Sequence, residues 1–345
     1  MAGTLYGYPF DEEIFLYEWQ NQRDPVLTAL LNSGVIVNDA QIETMISKGS
    51  NTFTIPYYND LGGDELNYDG NTDITATAVT ADAMSGVVIG RAKAWFKRDF
   101  TADFNSGADP MGQIVSRVSK YFDKKRQARL INILNALFGI QDDAKWANHA
   151  SSIATATTSV TDANLIGLTA ANDAMQKALG DSKAAFQIAV MHSNVATRLE
   201  NLQLLKFWTN NDANGLQRRT RLADYNGLTV VVDDGVPVTD SATAAGQKEY
   251  TTYLLGTGVI RYAPAPLVDN KAVEVARDPA KYGGMETLYT RYRETMHPFG
   301  FSFDISKEQV TNKTSPTDAD LGQSVAWARK YDDKNIAVAK LVTNG

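Results

Sequence analysis

Residues 52–100 read TFTIPYY (52–58), NDLGGDELNYDGNTD (59–73) and ITATAVTADAMSGVVIGRAKAWFKRDF (74–100). The first piece alternates and predicts a strand. The second is a turn-rich tip, with Gly62-Gly63 and Gly70 set among acids. The third returns with β-branched and small residues. Together they predict a long two-stranded hairpin with a weak apolar pattern. Such a hairpin buries little of itself and is marginal alone, so it needs another surface to lie on.

Upstream, residues 1–37 carry Phe10, Ile14, Phe15, Leu16, Tyr17 and Trp19 beside acids, then Asp24-Pro25 and a short helix LTALLNSG stopped at Gly34. These large apolar groups either dock on the chain's own core or form an arm that reaches a neighbouring subunit. A short helix is predicted over 38–49, capped by Asn38 or Asp39, with Ile42, Met45 and Ile46 on its apolar face.

Downstream, residues 111–139 (MGQIVSRVSKYFDKKRQARLINILNALFG) give the clearest helix. Ile114, Val118, Phe122, Leu130, Ile133, Leu134 and Leu137 recur at helical spacing, and Gly139 is a natural stop. At the standard rise this helix is roughly 40 Å long, longer than the usual globular helix. After an exposed connection over 150–164, strands and helices alternate from 165 to 265. In order they are LTAANDAMQKALG, FQIAVMHS, the helix NVATRLENLQLLKFW opened by Ser193 or Asn194, a polar stretch with Arg218, Arg219 and Arg221, LTVVVDD, and the strand YTTYLLGTGVIRYAPAP. That alternation argues for an α/β lobe. From 271 onward AVEVARD and TLYTRYRETMHPFGFSFDI read as long strands with one wet face. The C-terminal part is polar until IAVAKLV.

The chain has 345 residues, 43% hydrophobic and 21% charged. That is enough for two packed lobes and excludes wholesale disorder. No apolar run is long enough to cross a bilayer, and MAGTLYGYPFDEE lacks the basic start and apolar core of a signal peptide. The sequence has no cysteine, which excludes disulfides, thiolate catalysis and cysteine zinc sites. Its net charge is −7, unlike a dedicated nucleic-acid binder. A protein that only encloses nucleic acid needs no basic bias, because counterions neutralise the polymer.

No catalytic constellation is present. His149, His192 and His297 lie far apart without helical metal-ligand spacing. There is no nucleophile elbow and no phosphate loop, and the paired glycines 62–63 and 283–284 read as turns. The acids Asp60, Asp64, Glu65 and Asp69 lack the spacing of a calcium loop. No enzyme activity, cofactor or metal is expected.

One charge pattern stands out. Between Pro56 and Gly90 there is no Lys or Arg, while Asp60, Asp64, Glu65, Asp69, Asp73 and Asp82 are acidic. The helix 111–139 carries Arg117, Lys120, Lys124, Lys125, Arg126 and Arg129 against the single acid Asp123. Two ordinary solvated faces are the default. Complementary patches on different copies of one subunit would instead steer assembly and fix register.

The order of these elements resembles the major capsid proteins of tailed bacteriophages with the Hong Kong 97 capsid fold, along nearly the whole chain. TFTIPYYNDLGGDE resembles the start of that family's extended loop. GRAKAWFKRDF and the following helix resemble the entry to its spine helix. FQIAVMHSNVATRLENLQLLKFW and YNGLTVVVDDGVP are similar to pieces of its axial domain. LLGTGVIRYAPAP and the strand 285–305 resemble the return into the peripheral domain. The resemblance implies an α+β fold. It divides the chain into an N-terminal arm and short helix (1–50), an extended loop (51–100), a peripheral domain (101–164 and 266–310) with its spine helix, an axial domain (165–265) and a C-terminal segment (311–345).

The resemblance also implies a non-enzymatic shell subunit in the virion, assembled in the bacterial host cytoplasm. Its copies form pentamers and hexamers of an icosahedral head around double-stranded DNA, with a portal and, in some heads, a decoration protein. An encapsulin-like compartment shell is the alternative within the same fold. Some relatives crosslink through a lysine in the extended loop; this loop has none, so that chemistry is not expected. The chain starts close to the arm, so a separate scaffold protein is expected. Intersubunit contacts are expected from the loop acids Asp60, Asp64, Glu65, Asp69 and Asp73. They are also expected from the basic residues of the spine helix, and from Phe10, Phe15, Tyr17 and Trp19 of the arm.

Overall fold

Strand Met285–Pro298 organises one of two large sheets. The computed structural model describes residues 3–5, 8–10, 34–98 (except 48, 59–60, 62, 72, 75 and 77), 110–140, 144–211 (except 156 and 158), 217–240 and 247–345 (except 268–270). Strand Ile89–Arg98 runs antiparallel to residues 285–294 on one edge of this long strand. Strands Ile260–Ala265 and Val273–Asp278 take its other edge end to end, against 293–298 and 285–290. Ile36–Asn38 adds parallel to 260–262.

The second sheet runs in the order 150–152, 338–343, 248–256, 186–191, 228–232, 217–225, 206–211, with 238–240 also on 248–256. Its central strands are buried on both faces, which is why they read as near-continuous apolar runs. Period-two alternation divides them between two cores. Ala189, Met191, Val230 and Leu254 face the helices Ala170–Leu179 and Ser193–Asn201. Ile188, Val190, Val231, Tyr253 and Leu255 face the other way, toward Ile131, Leu134 and Leu137 of the long helix Pro110–Leu137. Further back along the same helix, Phe122 packs edge-on to Tyr292 of the first sheet, ring centroids 5.0 Å apart. The helix thus ties the two sheets together.

Several elements differ from their sequence reading. The return strand of the hairpin divides at Val88, whose N–H donates to the Asn51 carbonyl at 2.8 Å. Ala81–Val87 pairs with Thr52–Tyr58, whereas Ile89–Arg98 leaves to join the first sheet. The strand expected over 250–266 divides at Gly258 (φ +66°), so its halves Lys248–Gly256 and Ile260–Ala265 lie in different sheets. Residues 150–152 and 338–343 complete the second sheet, beyond the 165–265 boundary.

The helix expected over 194–208 ends at Asn201. Its cap is the His192 side chain, accepting from Asn194 N, rather than Ser193 or Asn194. Gln203 takes a left-handed φ of +57° and Leu204 N closes on Leu199 O, which stops the helix before Lys206. Residues 206–211 are a strand, paired with the arginine-bearing strand Gln217–Tyr225.

The short helix Ala40–Ile46 is capped by Asp39, with Ile42 and Ile46 buried and Met45 exposed. Gly139 ends the long helix without a left-handed turn: a Cβ there would press on Ser324 Cβ at 2.9 Å, so close packing explains it. The region 299–335 is more structured than its polarity implies. Gly300 (φ +85°) turns the chain into Phe301–Phe303, which pairs with Trp327–Arg329. Asp320 accepts from Thr311 N, Thr311 Oγ1, Asn312 N and Thr317 N and holds the loop before it together.

Candidate assembly surface

The hairpin is rooted on its own subunit. Phe53, Met84 and Val87 are buried, and Phe53 meets His297 edge-on with ring centroids 5.5 Å apart. Ser85 N donates to Ser302 Oγ at 3.0 Å. At the outer end of the ladder Tyr57 stacks on Tyr331 at 4.4 Å and its hydroxyl donates to the Lys330 carbonyl at 3.0 Å. Lys330 Nζ reaches Asp82 Oδ2 at 2.9 Å, which holds the Asp82 carboxyl below its ordinary range.

Beyond that root the chain changes character. Described residues between 61 and 80 form no regular ladder, and Leu61 (83% exposed), Tyr68 (90%) and Ile74 (86%) lie open, as does Tyr58 just before them. Asp64, Glu65, Asp69 and Asp73 are exposed, and Asp69 accepts from Asn71 N to form the turn at Gly70. Asp60 lies outside the described residues, as do Phe15, Tyr17 and Trp19. Phe10 ends strand Tyr8–Phe10, which pairs with Gly3–Leu5.

The basic residues of the long helix divide into two groups. Lys120, Lys124 and Lys125 project from one part of its surface, with Lys120 and Lys124 exposed and the Lys125 ammonium 5.9 Å from the Tyr121 ring centre. The Arg117 side chain carries charge on the turn before them. Arg126 and Arg129 are not part of that face, which corrects the sequence reading. Arg129 is 1% exposed; its Nη1 donates to Glu294 Oε1 and its Nε to Asp318 Oδ1, both at 2.8 Å. Arg126 Nε donates to Glu294 Oε2 at 2.8 Å and its Nη1 to Asp123 Oδ1 at 3.3 Å. Arg91 from strand 89–98 also donates to Asp318, at 2.9 Å.

Three guanidiniums therefore face three carboxylates where helix, sheet and C-terminal segment meet. Burial opposes the charge on Arg126 and Arg129, yet Glu294, Tyr262 and Tyr292 around Arg126, and Tyr292, Glu294 and Asp318 around Arg129, hold both guanidiniums above their ordinary range. Burial likewise opposes ionisation of Asp318, but its bonds to Arg129 and Arg91 hold it below its usual value. The spacing carried the signal: 126 and 129 share the inner helical stripe with Phe122 and Ile133.

The histidines converge on nothing. His149 and His297 are buried in different places, and His192 caps a helix. Among the described residues no group of three or more His, Asp or Glu could hold a metal ion. No described helix is long and apolar enough to cross a membrane.

No family model matches the chain. It is 30% identical over 321 residues to the major capsid protein of Bacillus phage SPP1, a match that covers 91% of this chain and 90% of that protein. Its backbone is similar to the solved capsid of Ralstonia phage GP4, at a TM-score of 0.57 and 12% identity, over 91% of this chain and 88% of that one. The Mycobacterium phage Che8 structure gives a TM-score of 0.49 at 12% identity, over 90% of this chain and 89% of that one. With a capsid architecture and 30% identity along nine-tenths of a curated relative, this chain belongs to the major capsid proteins of tailed bacteriophages, as a head-shell subunit with the Hong Kong 97-type α+β fold.

Proposed function

We propose that copies of this chain close into pentamers and hexamers of an icosahedral phage head around double-stranded DNA, without catalysis and without sequence-specific DNA contacts. The extended loop lies on a neighbouring subunit, and its acids Asp64, Glu65, Asp69 and Asp73 meet a basic surface there. Arg117, Lys120, Lys124 and Lys125 are the partners proposed from this chain. The 165–265 lobe surrounds the symmetry axes and the arm adds further contacts. Assembly takes place in the host cytoplasm with a separate scaffold protein and a portal, and a decoration protein is a further partner of the finished head.

One observation carries this reading. The hairpin's root is docked on its own subunit, yet residues 61–80 carry Leu61, Leu66, Tyr68, Ile74 and Val79 into solvent. Large apolar side chains exposed together on an excursion anchored at its base mark an interaction surface. Membership of the capsid proteins supplies the partner: further copies of the same chain. No observation favours the encapsulin-like compartment, since the curated relative is a phage capsid protein.

The test is electron microscopy and sedimentation of the overexpressed protein, alone and with the neighbouring head genes. Closed shells of uniform diameter are expected. A chain that stays a compact single particle under every condition overturns the reading.

A further inference from the structure

We infer that Tyr57, Asp82, Lys330 and Tyr331 are positioning residues for shell assembly: they clamp both legs of the hairpin at its outermost rungs and fix the direction in which residues 61–80 leave the subunit. This rests on reading the loop as an intersubunit contact.

Tyr57 and Asp82 face each other in the ladder, and only the pair Tyr58 and Ala81 lies further out. Each leg has its own tie to the same short segment. On the first, the Tyr57 ring lies on Tyr331 with planes 28° apart, and its hydroxyl bonds the Lys330 carbonyl. On the second, Asp82 pairs with the Lys330 ammonium. An attachment to one leg would leave the ribbon free to twist about that leg; two ties remove both swing and twist.

The anchor is itself rigid. Lys330 N and Tyr331 N both donate to the Gly300 carbonyl, at 2.8 and 3.2 Å. Gly300 is held at φ +85°, and a Cβ there would press on Ile336 Cδ1 and Cγ1 at 2.9 Å. The Tyr331 ring also rests on Phe299, centroids 4.9 Å apart. Trp327, three residues before the clamp, is 4% exposed and donates from Nε1 to Leu321 O at 2.8 Å.

A lever argument explains why direction needs fixing. From Tyr58 to the middle of the loop is roughly eleven residues, a reach of up to about 35 Å if extended. An angular error of about 10° at the root then moves the tip by about 6 Å, far beyond the roughly 1 Å tolerance of a pre-organised interface. The clamp is weak as a source of stability. Lys330 and Asp82 are 31% and 45% exposed, and such pairs contribute little to folding. A tie that stabilises little but sits at the pivot of a long arm acts on geometry.

The experiment compares full-length Tyr57→Phe/Lys330→Ala, the charge-swapped Asp82→Lys/Lys330→Asp, and the tip variant Asp64→Lys/Glu65→Lys/Asp69→Lys. Readouts are the urea midpoint, hydrogen exchange at 52–58 and 81–87, and shell yield and diameter. For Tyr57→Phe/Lys330→Ala we expect an unchanged midpoint, several-fold faster exchange at the root, and a several-fold loss of uniform shells. The swap should restore shells, which a merely structural defect would not explain. Wild-type shells from Tyr57→Phe/Lys330→Ala, or no recovery in the swap, overturn the clamp while a tip variant that fails to assemble keeps the loop reading. Wild-type shells from the tip variant overturn the loop reading and the clamp with it.

Discussion

Gly86 lies directly opposite Phe53 in the hairpin ladder, and the phenyl ring occupies the space that a Cβ on Gly86 would take. The glycine is there for volume: Phe53 must cross its partner strand to reach His297 and the core beneath. Gly86→Ala should therefore displace the ring and cost about 1–3 kcal/mol, the usual range for overpacking. Urea unfolding reads the loss, and hydrogen exchange at 52–58 shows whether it is centred on the root. Unchanged exchange there would mean that the ring is not the root's anchor.

Glu294 serves two arginines at once, one through each carboxylate oxygen, and both it and Arg129 are 1% exposed. Removing the acid leaves a buried guanidinium with only Asp318 and Tyr292 beside it. Glu294→Leu should cost about 3–5 kcal/mol, as for a broken buried pair. The double variant Arg129→Met/Glu294→Leu should recover much of that, because both charges leave together. Urea midpoints of the two variants decide it; equal losses in both would show that the charge balance is not what matters.

The same network shows where sequence reading ends. Val118, Phe122, Leu130 and Ile133 make the long helix legible because period 3.6 survives without knowing the partner. The arginines at 126 and 129 sit on that stripe, but charge alone points to solvent, and the acid that draws Arg129 inward is 165 residues away. Local breaks were equally hidden. Nothing in the residue types marks Val88 as the point where one strand leaves the hairpin for another sheet, since it sits in the middle of the unbroken apolar run Val87-Val88-Ile89. Gln203 stops a helix in a conformation that glycine or asparagine would have advertised. The loop's lack of basic residues could be read directly. Its clamp could not, because Lys330 is 248 residues from Asp82.

His297 gives a pH dependence with a defined window. It is fully enclosed beside Phe53 and Trp327, and burial pulls its pKa down to about 4 from 6.5, against a small opposing effect of the Phe301 backbone. The unfolded chain therefore takes up a proton on acidification through 6.5 while the folded one does not. Stability from this site is complete above pH 6.5 and falls as pH drops toward 4, by about 3 kcal/mol in all at about 1.4 kcal/mol per pH unit. His149, depressed chiefly by burial, acts in the same direction. Asp318 and Asp320, both held low by hydrogen bonds that outweigh burial, add their losses only below about pH 4. Urea unfolding at a series of pH values should show a shallower slope between 6.5 and 4 for His297→Phe. An identical slope would place the titration elsewhere.

The charge pattern makes the sharpest prediction about assembly. Asp64, Glu65 and Asp69 are exposed, so replacing them with lysine should change folding stability by no more than about 0.5 kcal/mol. If they meet basic groups on a neighbouring copy, the reversal converts attraction into repulsion across the same contact, and shells should form slowly and in low yield at low ionic strength. Raising salt to about 1 M shortens the screening length to about 3 Å, so the gap between variant and parent should narrow. Reversing Lys120, Lys124 and Lys125 to glutamate in the same chain should restore the match, because every copy carries both patches. Light scattering during assembly, followed by microscopy, reads all three. Normal shells from the first variant at low salt would remove charge matching and, with it, the reading of the loop as an intersubunit contact.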